Sequence, residues 1–430
     1  VLAQKDDLPE CAGAFDVAVI DHYGLGADYE TRLREITGHI VAIDDFPNRP
    51  HDCDVLIDQN FGRSAADYVG MTPRAATVLA GTPYALLRAE FGATRAAGLP
   101  AKGEGGSSLN ILVSLGLTDV GGVTCVVVNR LLAMNLNARI SVVIGPAAPS
   151  RASLETLASD GQITLHIAAD NMADLMAQAD LCIGAGGTTS WERCCLGLPT
   201  VLLVLAENQR DIAASLAEAG AAISLTGWSK GELETAVARL TDNTEVLRVM
   251  ATKAAMLCDG AGATRVVNAM GTLRADKTSP DGPMTARMAD VGDRADLWLW
   301  RTHPRARAVS LSDDMIPWQD HCRWYDASLT RDGRIILIIE HSAEPVGYVR
   351  LDRKGAAWLV SVALAPSRYG SGMGAAALAA GLAHLPGARF RADIHRDNTA
   401  AQRIFAACGF VRTGAGDDQF DIYQKHEDAA

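Results

Sequence analysis

Aromatic residues are scarce, 5% of a 430-residue chain. Any core must therefore be built mostly from Ala, Val, Leu and Ile. No run approaches about 18 uncharged apolar residues, which excludes a transmembrane helix. No signal-peptide pattern is visible in the residues present. Basic residues are in deficit, 39 Lys and Arg against 51 Asp and Glu, for a net charge of −12. That balance argues against a surface that coats nucleic acid. It does not exclude a local anion site, because backbone N–H groups hold phosphate without net positive charge. The nine cysteines form no CxxC pair and are odd in number, so neither a zinc site nor a disulfide framework is expected. Reduced thiols in a cytoplasmic compartment are the better reading. The 40 glycines follow no G-X-Y period, which rules out collagen. A Walker A loop and a GxGxxG fingerprint are both missing. So is an initial Met: the chain starts at Val1, and a fragment is expected.

Apolar residues make up 48% and charged residues 21%, as in a globular protein. At about 100–200 residues per domain the length allows two to four domains. Short apolar runs alternate with helical patterns up to residue 270. The predicted strands are Asp16–Ile20, His39–Ile43, Val55–Asp58, Asn110–Ser114, Arg139–Ile144, Ile163–His166, Ala179–Ile183, Thr200–Leu205 and Ala222–Leu225. The predicted helices include Met172–Gln178, Ser190–Leu196, Gln209–Glu218, Lys230–Leu240 and Thr244–Leu257. This alternation predicts parallel sheets covered on both faces. A Gly/Ser/Lys-rich break at Gly98–Ser108 reads as a hinge, and the polar stretch Arg274–Asp296 reads as a linker. After it, Arg334–Glu340, Val346–Asp352 and Ala357–Leu364 read as consecutive antiparallel strands. The expected pieces are residues 1–97, 108–272 and 297–427, with 274–296 as linker.

Residues 183–192, IGAGGTTSWE, run from a strand end into a helix. Gly184, Gly186 and Gly187 let N–H groups approach an anion, and Thr188, Thr189 or Ser190 can cap the helix. Glu192 lies early in that helix, where it could accept hydrogen bonds from sugar hydroxyls. A tight turn with a capped helix is the plainer reading. Asn208 and Gln209 follow the next strand, and SLGLTDVGGVT at 114–124 is a third strand-end loop. Ligands of open α/β sheets bind at such carboxyl ends. A second Gly-rich loop, APSRYGSGMGAAAL at 365–378, opens an Ala-rich helix. Its consecutive N–H groups can wrap a pyrophosphate. Residues 398–410, NTAAQRIFAACGF, follow it.

The loops at 116–119 and 184–192, with Asn208-Gln209, Asp21-His22-Tyr23-Gly24, residues 43–54 and PYALLRAEF at 83–91, resemble GT-B glycosyltransferase-like proteins. Within these, the set is most similar to the UDP-sugar hydrolases of pseudaminic acid biosynthesis, over roughly residues 15–270. The resemblance implies inverting hydrolysis at the sugar C1, with water as acceptor and UDP as leaving group. It assigns UDP to Gly116, Thr118, Asp119, Gly184, Gly186, Gly187, Thr188, Thr189, Glu192 and Gln209. Tyr23 and Asn208 match positions facing the sugar, and His22 is a candidate to join them as catalytic. His22 and His51 also read as structural, and Asp44-Asp45 as a turn in preference to a metal site. Leu117 departs from the usual Gly-Gly-Thr-Asp run. The family's Gly-x-Gly-His-x-x-Arg loop, which holds its expected base, is missing. The first strand and that base are expected to precede Val1, leaving the first piece the least stable.

The 365–378 loop and the 398–410 element resemble the GNAT acetyltransferases, with Leu297–Thr302 and residues 321–324 similar to the subgroup that acetylates amino sugars and protein N-termini. The resemblance implies acetyl-CoA as donor, held by Val362, Leu364, Tyr369, Gly370, Gly372, Met373, Gly374 and Asn398, with no metal. Val362–Leu364 would belong to a splayed strand. Phe405 stands where a Tyr proton donor is frequent, and His321 is a candidate base. The expected fold is α/β: a GT-B-like pair of Rossmann-type parallel-sheet domains, then an α+β GNAT domain with a mostly antiparallel sheet. The expected function is bifunctional, acetylating a 4-amino UDP-sugar and releasing UDP from a UDP-linked diacetamido-trideoxy-altropyranose. An acetyltransferase with an inactive UDP-sugar-binding part, a GT-B glycosyltransferase and a nucleotide-sugar sensor remain open. UDP-sugar and acetyl-CoA are the expected partners, with no nucleic acid or membrane.

Overall fold

A computed structural model describes residues 15–99, 102, 108–227, 231–271, 273, 283–310, 314–416 and 419–425. Cys11, most of the expected hinge and residues 274–282 of the expected linker lie outside the described residues.

Three sheets organise the chain. The first holds β1 (Phe15–Asp21), β2 (Thr37–Ile43), β3 (Val55–Asp58) and β4 (Thr77–Ala80), in that order. Strands β1, β2 and β3 run parallel. Helix Ala27–Leu33 crosses from β1 to β2 and buries Ala27, Tyr29 and Leu33. The edge strand β1 exposes Phe15 and Val19.

The second sheet is all parallel: β5 (Leu109–Ser114), β6 (Ala138–Ile144), β7 (Thr164–Ile167), β8 (Leu181–Ala185), β9 (Thr200–Leu203) and β10 (Ala222–Leu225). Its order is β10-β9-β8-β5-β6-β7. Every residue of β8 and β9 is buried, which explains why all but Thr200 lack a polar side chain. Apolar clusters cover both faces, one around Val127, Leu154 and Leu240, the other around Phe91, Trp191 and Leu216.

The third sheet contains β11 (Met284–Met288), β12 (Arg334–His341), β13 (Glu344–Lys354), β14 (Ala357–Leu364), β15 (Phe390–His395), β16 (Val411–Ala415) and β17 (Phe420–Lys425). The order is β11-β12-β13-β14-β15-β17-β16, and only β14 and β15 pair in parallel. The architecture is thus α/β, with two parallel Rossmann-type sheets and a mostly antiparallel third. Strand β11 corrects the linker reading of 284–288. Its polar residues suit an edge strand, and Arg287 ion-pairs with Glu340 on β12, 2.6 Å away.

The described residues gather into two compact units. One draws on the described residues among 15–57, 65–78 and 273–425, the other on those among 58–64 and 79–271. Residues 79–97 therefore group with the second sheet, because helix Ala89–Ala96 inserts the fully buried Phe91 into the cluster around Trp191. In the first unit, Arg74 ties residues 65–78 to the acidic turn before helix Arg294–Thr302. Its guanidinium meets Asp290 at 2.8 Å and Asp293 at 3.0 Å, and its N–H donates to Asp296 at 2.7 Å. Within the second unit, Lys102 of the expected hinge is buried, and its Nζ donates to the carbonyls of Ala177 and Ala179, each at 2.8 Å. It thereby closes the end of helix Met172–Gln178. Burial lowers its pKa to about 8.

Eight described cysteines are free thiols. Burial pushes Cys182 up to about 11 and Cys194 up to about 12, as expected of unreactive core thiols. Among the described residues no helix is long and apolar enough to cross a membrane.

Candidate functional site

In the third sheet, β14 and β15 pair only at Trp358–Phe390 and Leu359–Arg391. Beyond Leu359 they diverge, while β14 stays paired with β13 as far as Leu364–Gly347. The edge of residues 360–364 facing away from β13, with Val362 and Leu364 on it, therefore carries no strand. This is an opening in the sheet, lined by backbone polar groups.

The chain leaves this opening through Pro366–Arg368 and Tyr369 into the Gly-rich turn. Gly370 and Gly372 have φ of 80° and 79°, and a Cβ on either would point into open space. Left-handed residues alternating along a loop are the backbone of an anion nest, and Ser371 N between them donates to the Arg368 carbonyl at 3.3 Å. Met373 then stands at the N-cap position of helix Gly374–Leu382, with no side-chain cap. Gly374 also serves packing. A Cβ there would strike the Ile404 side chain, so its hydrogen lets two helices touch. Asn398 caps helix Thr399–Ala407, its Oδ1 accepting from Ala401 N at 3.0 Å. Phe405 is buried edge-on against Phe410, ring centroids 4.9 Å apart.

His321 is not placed as a base. It is buried among Trp318, Trp324 and Tyr325, its Nε2 lies 3.0 Å from the Arg294 carbonyl, and burial lowers its pKa to about 4. Sequence reasoning missed the ring wall beside the opening. His303 meets Tyr369 edge-on at 5.6 Å, and Trp300 stacks on Tyr348 at 6.4 Å. Tyr348 is register-paired with Ala363 of β14. Burial and neighbouring Tyr348 hold the Tyr369 phenol above its usual range.

In the second unit, β5, β8 and β9 are neighbours, and the strand order reverses between β5 and β8. Their carboxyl ends bring Gly116–Asp119, Gly184–Glu192 and Asn208-Gln209 to one rim, at a topological switch point. Gly186 abuts Gln209, whose Oε1 accepts from Leu205 N at 2.9 Å. Thr118, Thr188, Thr189 and Asn208 are exposed on this rim, and Gly187 is half-buried. No side chain caps helix Thr189–Cys195, contrary to the capping expected of Thr188, Thr189 or Ser190. Asp119 is turned to structure. It is buried, and its two oxygens accept from Thr124 N at 2.9 Å and Ser150 N at 3.0 Å, which holds its pKa below the usual range. Glu192 is half-buried, and burial raises its pKa against the pull of Arg88 and Arg193.

The third group lies in the first unit. Exposed His22 accepts from Gly24 N through Nδ1 at 2.9 Å. That bond occupies Nδ1 as an acceptor. Tyr23 is exposed, packs against Phe46 and lies 3.4 Å from Asp45 Oδ2. Burial and Asp45 raise its phenol to about 12. Asn208, the other expected sugar-facing residue, belongs to the second unit.

His51, Asp44 and Glu30 form a buried chain. His51 Nδ1 lies 2.8 Å from Glu30 and Nε2 2.9 Å from Asp44, which also meets Arg49 at 2.6 Å. Burial opposes the charge on His51, but the two carboxylates prevail and raise its pKa from 6.5 to about 9. Because the folded value is the higher one, the stabilisation is complete below 6.5 and is lost as pH climbs through about 9. The shift corresponds to about 3 kcal/mol. Asp44, held low by His51, weakens the chain only in acid, below its ordinary carboxylate range. Melting of the first unit, followed by fluorescence of its tryptophans, should fall between pH 6.5 and 10. His51→Gln should abolish most of that slope, and an unchanged slope would contradict this assignment. Among the described residues, no cluster of three His, Cys, Asp or Glu could hold a metal.

Two family models match this chain. Residues 126–266 match the glycosyltransferase family 28 C-terminal domain and residues 294–410 match the acetyltransferase (GNAT) family. An uncharacterized protein of Methanocaldococcus jannaschii, MJ1062, is 23% identical over 95% of this chain and 84% of its own length. The UDP-2,4-diacetamido-2,4,6-trideoxy-beta-L-altropyranose hydrolase of Campylobacter jejuni is 28% identical over 48% of this chain and 72% of its own. Among solved structures, the aminoglycoside acetyltransferase AAC(6')-Ib in complex with coenzyme A is 20% identical, with a TM-score of 0.30 over 34% of this chain and 95% of that one. The chain thus joins a region of the glycosyltransferase family 28 C-terminal type, homologous to a UDP-sugar hydrolase over about half its length, to a C-terminal GNAT domain.

Proposed function

We propose that the protein is an acetyl-CoA-dependent N-acetyltransferase acting on a UDP-linked amino sugar, joined to a UDP-sugar hydrolase of the pseudaminic acid type. The observation that carries the transferase part is the β14–β15 opening beside the Gly370–Gly372 nest. The nest would hold the pyrophosphate of acetyl-CoA, which supplies an activated thioester. The free edge of β14 at Val362 and Leu364 would orient the acetyl group. Attack by the acceptor nitrogen forms the N–C bond and breaks C–S; the nitrogen gives up one proton and the thiolate gains one. Phe405 has no proton to give. Tyr369, held protonated at neutral pH beside the opening, is better suited.

The hydrolase part is supported by the rim at β5, β8 and β9, where a diphosphate would meet Gly184–Thr189 and a ribose would meet Glu192. A second reading, acetyltransferase with a UDP-sugar-binding but unreactive second unit, is favoured by the state of the candidate catalytic groups. His22 Nδ1 is already engaged by Gly24 N, and Tyr23 stays protonated to about pH 12. A cytoplasmic location follows from the substrates proposed. Thiol release and UDP release, measured together on a 4-amino UDP-sugar with acetyl-CoA, separate these readings. Thiol and UDP both appearing supports the bifunctional enzyme, and thiol alone the second reading. Neither appearing refutes both.

A further inference from the structure

A cavity of about 570 Å³ opens within the first unit. One wall comes from residues 24–32 with Arg49 and Pro50, the other from helix Arg294–Thr302, the turn through Arg307, and residues 315–318. The volume is that of a small-molecule site. Its lining carries three arginines, Arg32, Arg49 and Arg307, against one carboxylate, Asp28, in a chain whose net charge is −12. The guanidinium groups are positioned by their surroundings. Arg32 lies over the Tyr29 ring at 5.5 Å, Arg49 meets Asp44 at 2.6 Å, and Arg307 Nε donates to the Thr302 carbonyl at 3.0 Å. Planar forks fixed in this way suit phosphate.

The cavity shares a wall with the acetyl-transfer opening. His303 lines the cavity and touches Tyr369 with its ring, 5.6 Å between centroids. Trp298 lines it as well, from the helix whose Trp300 stacks on Tyr348. We infer that this cavity binds the acceptor of the acetyl transfer and that the acceptor carries a phosphate or diphosphate. Two of the three arginines come from the first sheet's segment, outside residues 294–410. The acetyltransferase site is thus completed by the preceding part of the chain, which makes the sheet of β1–β4 a specificity element. This inference rests on the transferase reading above.

The test uses the full chain and two amine acceptors, a UDP-4-amino sugar and the same amino sugar without UDP. For the double variant Arg32→Gln/Arg307→Gln, KM for the UDP-linked acceptor should rise at least about 10-fold, as expected for lost charge-assisted bonds to phosphate. KM for acetyl-CoA and the rate with the phosphate-free amine should hold, and Arg307→Lys should recover part of the loss. Equal losses for both acceptors, or no change in KM, overturns the inference. If no amine is acetylated, the transferase reading falls and the cavity is judged by arginine labelling. Phenylglyoxal modification of Arg32 and Arg307, resolved by peptide mass spectrometry, should be suppressed by UDP and not by uridine. Equal labelling with UDP and uridine would again overturn it. Peptide resolution keeps any UDP held by the second unit out of the measurement.

Discussion

Gly372→Asp should raise KM for acetyl-CoA by about 100-fold or more, while melting of the first unit changes by only a few degrees. Gly372 sits at φ 79°, and a Cβ there meets nothing within 4 Å. The new side chain disturbs no packing. It adds a left-handed residue, at about 1–2 kcal/mol, and a few degrees in Tm correspond to that cost. Its carboxylate would stand at the mouth of the nest, where the coenzyme pyrophosphate is proposed to lie. A loss of about 2.7 kcal/mol in binding is the 100-fold effect. Gly374→Val is the contrast. Its side chain would strike Ile404, so melting should fall first, with affinity following the lost fold. If Gly372→Asp left KM unchanged, the nest would not be the coenzyme site.

These two glycines also mark how far the sequence could be read. The resemblance made both coenzyme contacts; the structure leaves open space beside Gly372 and packs Gly374 against a second helix. Nothing local separates them, since the difference comes from Ile404, thirty residues on. Asp119 is a parallel case. The resemblance made it a ligand group, but the helix start five residues on, at Thr124, and a more distant one, at Ser150, claim its oxygens.

The parallel sheets were legible because buried strands write themselves as apolar runs. Helices Met172–Gln178 and Thr244–Leu257 have the predicted ends. The third sheet was legible only through its long central strands. Edge strand β11, with Thr285 and Arg287, has the polar composition of a linker, and β15–β17 are short and interrupted by charge. β4 is four residues long and half-exposed, too brief for a periodic signal. The wall of His303, Trp300, Tyr348 and Tyr369 was out of reach, because its members become neighbours only when a helix packs on the sheet.

Arg193→Met should weaken UDP binding by the second unit about 10- to 100-fold. Arg193 follows Glu192 in a short helix and is 2% exposed. Its Nη2 donates to the Ala185 carbonyl at 2.8 Å and to Ser190 Oγ at 2.9 Å, and Nη1 to Thr189 Oγ1 at 3.3 Å. It grips the Gly-rich loop from behind, and a Cβ on Gly184 would come within 2.7 Å of Nη1. Among the described residues no carboxylate forms an ion pair with it. Glu192 attracts it without forming an ion pair, so the buried cation remains costly, and an anion on the loop would relieve that cost. At an effective dielectric of about 20, unit charges about 6 Å apart attract by about 3 kcal/mol, enough for the larger effect. Calorimetric titration with UDP, beside a melting curve, separates two roles. Arg193→Lys retains charge without the fork, so it should bind between the native protein and Arg193→Met. A lower melting point with unchanged UDP affinity in both variants would reduce Arg193 to a staple for the loop and remove the reason to read its charge as waiting for a diphosphate.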